Sequence, residues 1–99
     1  MRITQRQRSA IVDATREIFG EQSTVRLFGS RADDSKRGGD IDLHVQIRGI
    51  DPLHQEKSQK LSARICAKLG DIFPIDVVVQ DDATSDELIH QEGMRGIPL

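Results

Sequence analysis

The chain has 99 residues, which is long enough for one domain, 1–99, with a modest hydrophobic core. Its net charge of −2, from 14 basic and 16 acidic residues, and its aromatic content of three Phe argue against nucleic acid as a direct ligand. The single cysteine, Cys66, excludes an intramolecular disulfide and a zinc cluster built on thiolates. Because the sequence contains no recognisable signal peptide or membrane span, we expect a cytoplasmic protein without membrane association.

The first third of the chain predicts a helix, a strand and a tight turn. Apolar residues recur at helical spacing over 4–19, and Gly20 is typical of a helix C-terminus. Alternation over 24–28 predicts a short strand. Gly29-Ser30 then predicts a turn followed by one helical turn, with Ser30 as the N-cap. Free backbone N–H groups at such a turn can bind a phosphate.

Two more strands are predicted on either side of a second long helix. Residues 40–47 alternate polar and apolar side chains without interruption. The helix begins at Asp51-Pro52, with Asp51 as the expected N-cap, and ends at Gly70. Residues 73–80 form the third predicted strand.

The C-terminal segment predicts a short helix and a loop. Thr84 and Glu87 have the spacing of a capping box, which predicts a helix through about Glu92. Gly93 is the expected helix end, and 94–99 are expected to form a loop.

The element order α-β-(short α)-β-α-β-α predicts an α+β (α/β) fold. We expect a small mixed β-sheet of about three strands with the helices packed on one face. The other face would carry Asp40, Asp42 and, if the strands are neighbours, Asp76. His44 shares that face and is interpreted as a structural or rim residue, with a role toward the metal or the acceptor as the alternative, whereas His90 is expected to be solvated.

The carboxylates of Asp40, Asp42 and Asp76 predict a metal site. Residues two apart in a strand share a face, with Cα atoms roughly 6–7 Å apart. Carboxylates gathered on one face repel each other unless a cation lies between them, and Mg²⁺ prefers oxygen ligands that include substrate phosphates. One or two Mg²⁺ ions would polarise an α-phosphate, and the third carboxylate would position or deprotonate an acceptor hydroxyl. The alternative interpretation is a set of exposed strand-edge carboxylates beside a plain turn.

A known family carries the same arrangement of motifs. The runs LFGSRA at 27–32 and GDIDL at 39–43 resemble the signature of the DNA polymerase β-like nucleotidyltransferase superfamily, in particular its minimal nucleotidyltransferases. Asp76, in the run PIDVVV, matches the third aspartate that this signature has on a later strand. The resemblance extends over nearly the whole chain, from about residue 11 to residue 99.

The resemblance implies the nucleotidyltransferase fold and a Mg²⁺-dependent activity. A nucleoside monophosphate, AMP from ATP or the equivalent from another NTP, would be transferred to an acceptor hydroxyl. Gly29 and Ser30 would hold the triphosphate. Metal binding and catalysis would fall to Asp40, Asp42 and Asp76.

The chain departs from the family motif at one point. Many relatives read G-S-x-A-R-G, but Asp33-Asp34 stands where Arg-Gly is expected, which removes a cation beside the phosphates. Arg31, Lys36 and Arg37 are the basic candidates for nucleotide binding, and Lys36 or Arg37 would replace the missing cation. A solvated loop is the alternative interpretation of these three residues.

The resemblance also implies a partner. Minimal nucleotidyltransferases often pair with a helical HEPN-family protein as the antitoxin of a toxin–antitoxin module, in some cases by adenylylating the HEPN toxin. The chain would then modify a protein acceptor within a hetero-oligomer, or form a homo-oligomer. Two alternatives stay open: a non-catalytic antitoxin or binding module of the same fold, and a small-molecule nucleotidyltransferase.

Overall fold

The computed structural model of the protein describes residues 2–33, 39–84 and 87–99. Within these residues the elements are α1 (Gln5–Phe19), β1 (Thr24–Phe28), a 3₁₀ turn η1 (Gly29–Ala32), β2 (Ile41–Gln46), α2 (His54–Leu69), β3 (Ile75–Gln80), α3 (Leu88–Met94) and β4 (Ile97–Pro98). The predicted α+β class is confirmed, with four strands instead of about three. None of the described helices is long and apolar enough to cross a bilayer.

The four strands form one mixed sheet in the order β3-β2-β1-β4. β1 pairs antiparallel with β2 and with β4, whereas β2 and β3 run parallel. The parallel pair requires a long crossover, and α2 supplies it between β2 and β3. The described sheet therefore has β3 and β4 as its edge strands.

The predicted start of α1 and the predicted C-terminal ends of both long helices agree with their local hydrogen bonds, whereas α2 begins at His54 and not at Asp51-Pro52. The Oγ1 of Thr4 accepts from the N–H of Gln7 (3.0 Å), and Oε1 of Gln7 accepts from the N–H of Thr4 (2.8 Å), which is a complete capping box. Gly20 ends α1 with a φ of +95°. Gly70 ends α2 in the left-handed region, where its N–H donates to the carbonyl of Cys66 (2.9 Å).

The hydrophobic core lies between one face of the sheet and the helices α1 and α2. The predicted apolar stripes of both helices point into this core, together with alternate residues of β1 and β2. Its fully buried members are Ile11, Ala14, Leu27, Ile41, Leu43, Val45, Leu61 and Ile65.

The third helix packs against the opposite face, so the prediction that all helices share one face is wrong. Leu43 and Val45 lie in the core, and His44 between them must point to the other side of the sheet. There the ring of His44 contacts Gly93 of α3, and its Nε2 lies 3.2 Å from Nδ1 of His90. Alternation alone could not predict this cover, because it does not show which face a later helix will occupy.

Two expectations about α3 are corrected by this packing. His90 is 2% exposed and not solvated, because its ring lies against His44. Gly93 is a buried position within α3 and not the end of the helix. A Cβ at Gly93 would overlap the His44 ring, so glycine is required here for close approach and not for helix termination.

Three predicted N-caps are absent from the structure. Ser30 lies inside η1, whose N-cap is Phe28. Asp51 instead forms a turn before α2, in which its Oδ1 accepts from the N–H of Leu53 (2.9 Å). Thr84 does not cap α3: its N–H and hydroxyl donate to Oδ1 of Asp81 (3.1 and 3.2 Å). Residues 85 and 86 of the predicted capping box lie outside the described residues.

Within the segment 94–99, which the sequence predicts as a loop, Ile97 and Pro98 form the short strand β4. Ile97 and Pro98 pair with β1, and the N–H of Leu99 donates to the carbonyl of Val25 (3.0 Å). Proline is compatible with an edge strand, since its missing N–H can face away from the sheet.

We expect Gly93→Ala to destabilise the protein by about 1–3 kcal/mol, because a methyl group there overlaps the buried His44 ring. This loss should outweigh the gain in helix propensity of up to about 1 kcal/mol. Urea unfolding of the single variants and of the His44→Ala, Gly93→Ala double variant measures the coupling. An equal cost of Gly93→Ala with and without the His44 ring would contradict this contact.

The buried His44 should make stability depend on pH. Burial lowers its pKa to about 4 from the ordinary 6.5, and His90 and Arg26 add to the shift. Between these values the unfolded chain binds a proton that the folded chain does not, so the free energy of unfolding falls as the pH falls through this window. The loss should be roughly 2 kcal/mol between about pH 7 and about pH 4.5.

The variant His44→Leu provides the comparison for this pH dependence. It removes the titrating ring and places an apolar side chain of similar size on the sheet face that α3 covers. We expect its free energy of unfolding, measured by urea titration at both pH values, to change less than that of the unsubstituted protein. Parallel pH profiles for the two proteins would rule out His44 as the source.

Candidate active site

The parallel pairing of β2 and β3 brings two of the predicted aspartates together. Asp42 and Asp76 are direct partners in the register, and their side chains lie on the same face of the sheet. Asp40 precedes Asp42 by two residues, immediately before β2 begins. All three carboxylates therefore gather where β2 and β3 begin.

The electrostatics of Asp42 reflect this crowding. The side chain is partly buried, and burial raises the pKa of Asp42 above its ordinary value. The charges of Asp76 and Asp40 raise it further. A cation at this position would relieve both the repulsion and the cost of burial.

The donor set fits Mg²⁺ bound together with a phosphate ligand. Across 2–33, 39–84 and 87–99, no group of three or more His, Cys, Asp or Glu side chains is arranged to hold a metal ion by itself. Mg²⁺ seldom needs such a group, since it keeps several waters and uses one or two carboxylates plus substrate phosphates. The Asp42–Asp76 pair supplies hard oxygen donors of this kind, whereas the Nε2 of His44 faces His90.

The glycine-serine turn packs directly on these aspartates. Gly29 has a φ of +74°, and a Cβ there would overlap the carboxylate of Asp42. Gly39, with a φ of +89°, lies equally close to the Oγ of Ser30. Two glycines are thus required for close approach, which joins the glycine-serine turn and the carboxylate cluster into one surface.

Of the three basic residues predicted to bind nucleotide, the structure describes only Arg31. Arg31 donates from Nε to the carbonyl of Gly39 (3.2 Å) and from Nη1 to the carbonyl of Arg2 (3.2 Å). It therefore braces the turn through backbone carbonyls. Lys36 and Arg37 lie outside the described residues.

A cavity of about 470 Å³ opens beside Asp42, within the usual size range of ligand sites. We call it the Asp42 cavity. Its walls come from β1, η1 and β2 on one side and from the end of α3 and the turn after it on the other. The lining residues are Phe28, Gly29, Ala32, Asp42, Glu92, Arg95 and Gly96.

Two charged members of this lining, Glu92 and Arg95, were missed by sequence reasoning. The sequence places both near the end of a predicted short helix but gives no signal of the face on which that helix packs. The buried Gly93 between them is the one local hint, because a glycine inside a helix often marks close packing.

Comparisons of the chain with models of protein families, with characterised proteins and with solved structures find no match. The resemblance to minimal nucleotidyltransferases therefore stays a prediction.

We expect Asp42→Asn to stabilise the metal-free protein at neutral pH. Because the folded-state pKa of Asp42 is raised, the folded chain binds more protons than the unfolded chain just above the ordinary value of 3.8, and stability falls as the pH rises through that window. Asparagine carries no charge and so removes the cost of burying the Asp42 carboxylate. The gain in the free energy of unfolding should vanish below pH 3.8, where aspartate is neutral as well.

The matched control is Asp13→Asn, which makes the same charge change on the exposed surface of α1. Thermal unfolding at both pH values measures the difference. Added Mg²⁺ should stabilise the unsubstituted protein and Asp13→Asn but not Asp42→Asn, since only the folded carboxylate pair binds the ion. Identical behaviour of the two variants would contradict a carboxylate cluster at Asp42.

Proposed function

We propose that the chain is a cytoplasmic, Mg²⁺-dependent nucleotidyltransferase that transfers AMP from ATP to a hydroxyl group of a partner protein. One observation carries the proposal: Gly29 of the turn lies directly against the carboxylate of Asp42, which is paired in register with Asp76. The turn that would bind phosphate and the pair that would bind the metal are thereby adjacent, beside a cavity of suitable size. The resemblance of the motifs to minimal nucleotidyltransferases supports the same activity.

Each group has a defined task in the proposed reaction. Backbone N–H groups of η1 would bind phosphate oxygens, because the first N–H groups of such a turn have no partner within it. Asp42 and Asp76, with Asp40, would hold Mg²⁺. The bound ion would polarise the α-phosphate and lower the pKa of the acceptor hydroxyl.

The transfer balances without a further reactant. The acceptor oxygen forms a bond to the α-phosphorus, and the bond from that phosphorus to the bridging oxygen of the β-phosphate breaks. Pyrophosphate leaves with the electron pair. The hydroxyl proton passes to a carboxylate of the cluster, for which Asp76, with its exposed side chain on β3, is the candidate.

The position of Asp76 supports a protein acceptor. It lies on β3, an edge strand of the described sheet, and its side chain is exposed. A hydroxyl group carried by a second protein can therefore approach it without entering a closed pocket. A HEPN-family protein is the partner that the resemblance implies.

A second candidate function is a non-catalytic antitoxin or binding module that neutralises its partner by complex formation. The small amount of positive charge that the described turn offers to a nucleotide favours this function. Arg31 donates to backbone carbonyls, and Asp33 stands where the family motif has arginine. Weak nucleotide binding would leave the fold intact for partner binding.

The deciding experiment combines the purified chain with α-labelled ATP, Mg²⁺ and the product of the adjacent open reading frame. We expect label on the partner protein, and at least about 100-fold less label with Asp42→Asn or Asp76→Asn, because each removes a ligand of the ion that stabilises the transition state. The control Asp13→Asn should label the partner as the unsubstituted chain does.

A tight complex without label, equally stable with Asp42→Asn, would contradict the enzyme and support the binding module. Gel filtration of the same mixtures records complex formation independently of labelling. The two candidate functions therefore give opposite results in one set of samples.

A further inference from the structure

The end of α3 places two charged side chains in the same cavity as Asp42. Glu92 and Arg95 are three residues apart, so they lie on one side of the last helical turn. Neither side chain forms a hydrogen bond or an ion pair with any other residue that the structure describes. Their charged groups are thus available to a ligand in the cavity.

A triphosphate in this cavity needs a cation from the protein. The three carboxylates repel its negative charge, and bound Mg²⁺ offsets only part of that repulsion. The guanidinium of Arg31 is turned to backbone carbonyls, and Nη2 of Arg2 donates to the carbonyl of Ser30 (3.0 Å). Among the described residues, Arg95 is the basic side chain that lines the Asp42 cavity.

Arginine is well suited to this position. Its planar guanidinium forms paired hydrogen bonds with phosphate oxygens, and it stays charged at every physiological pH. Arg95 approaches the cavity from the helix end, whereas Gly29 belongs to the turn after β1. A ligand between them would contact two separate elements of the chain.

We propose that Arg95 binds the β- and γ-phosphates of the nucleotide and so makes the site selective for a nucleoside triphosphate over a monophosphate. The inference rests on the proposed function, since the α-phosphate is assigned to the aspartate cluster. Arg95 then contacts the pyrophosphate group as it leaves and stabilises the charge that develops there. Arg95, at the end of α3, also supplies a positive charge in place of the arginine that the family motif has at the position of Asp33.

Glu92 has the opposite effect in this arrangement. Its carboxylate lines the cavity beside Arg95 and repels the same phosphates. Neutralising Glu92 should therefore tighten triphosphate binding, whereas neutralising Arg95 should weaken it. Opposite changes in triphosphate affinity at these two positions would show that the charges lining the Asp42 cavity cause the effect, because a general loss of structure would weaken binding in both variants.

The test measures binding of fluorescently labelled ATP and AMP, each with Mg²⁺, by fluorescence anisotropy. We expect Arg95→Gln to weaken ATP binding roughly 10-fold or more and to leave AMP binding unchanged, because only ATP carries the β- and γ-phosphates. The ATP affinity of Arg95→Lys should lie between that of the unsubstituted protein and that of Arg95→Gln. Glu92→Gln should tighten ATP binding a few-fold.

The control is Arg48→Gln, which makes the same charge change at an exposed residue beyond the far end of β2. Its ATP binding should equal that of the unsubstituted protein. Arg95 is exposed, and circular dichroism of Arg95→Gln should give an unchanged melting curve.

The outcomes separate this inference from the function on which it rests. If the unsubstituted protein binds neither nucleotide, the proposed function fails and Arg95 loses its role with it. If ATP binds and Arg95→Gln behaves as Arg48→Gln does, Arg95 is not a phosphate ligand and the proposed function stands. An equal loss of ATP and AMP binding would likewise overturn selectivity for the triphosphate.

Discussion

The register between β2 and β3 is the constraint on which the candidate site depends. It sets Asp42 beside Asp76 and, one pleat along, Leu43 beside Val77. Because side chains alternate along a strand, a slip of one residue would carry Asp76 to the core side and a valine to the site. Burial of the apolar residues under α1 and α2 thus enforces the pairing of the carboxylates, although that pairing is itself repulsive.

Close backbone approach is the second requirement of this site. Gly29 and Gly39 lie against side chains of the cluster and the turn, at positive φ angles that glycine adopts without strain. The turn can therefore lie on Asp42 instead of standing apart from it. The same burial and crowding of carboxylates raise the pKa of Asp42 and favour a cation beside it.

The cover of the second face extends the site beyond the motifs. Gly93 packs against the buried His44 and so fixes α3 across β1 and β2. The end of that helix then overhangs the Asp42 cavity, with Glu92 and Arg95 in its lining. The packing of Gly93 on His44, neither of which has a proposed part in the chemistry, thereby decides which charged side chains line the cavity.

The sequence by itself determined most of the elements and the strand face on which each aspartate lies, whereas the pairing of Asp42 with Asp76 depends on the parallel contact between β2 and β3. Helical periodicity, strand alternation and terminal glycines mark α1, β1, β2, α2 and β3 to within a few residues, because these signals are local. The aspartates follow from the same alternation, which gives every residue of a strand a face. Tertiary structure alone decided that α3 covers the second face, that His90 is buried, that the last residues pair as β4, and that Arg95 reaches the cavity. These features depend on which surfaces meet in three dimensions, and a short helix or a two-residue strand carries too little periodicity to specify its own neighbours.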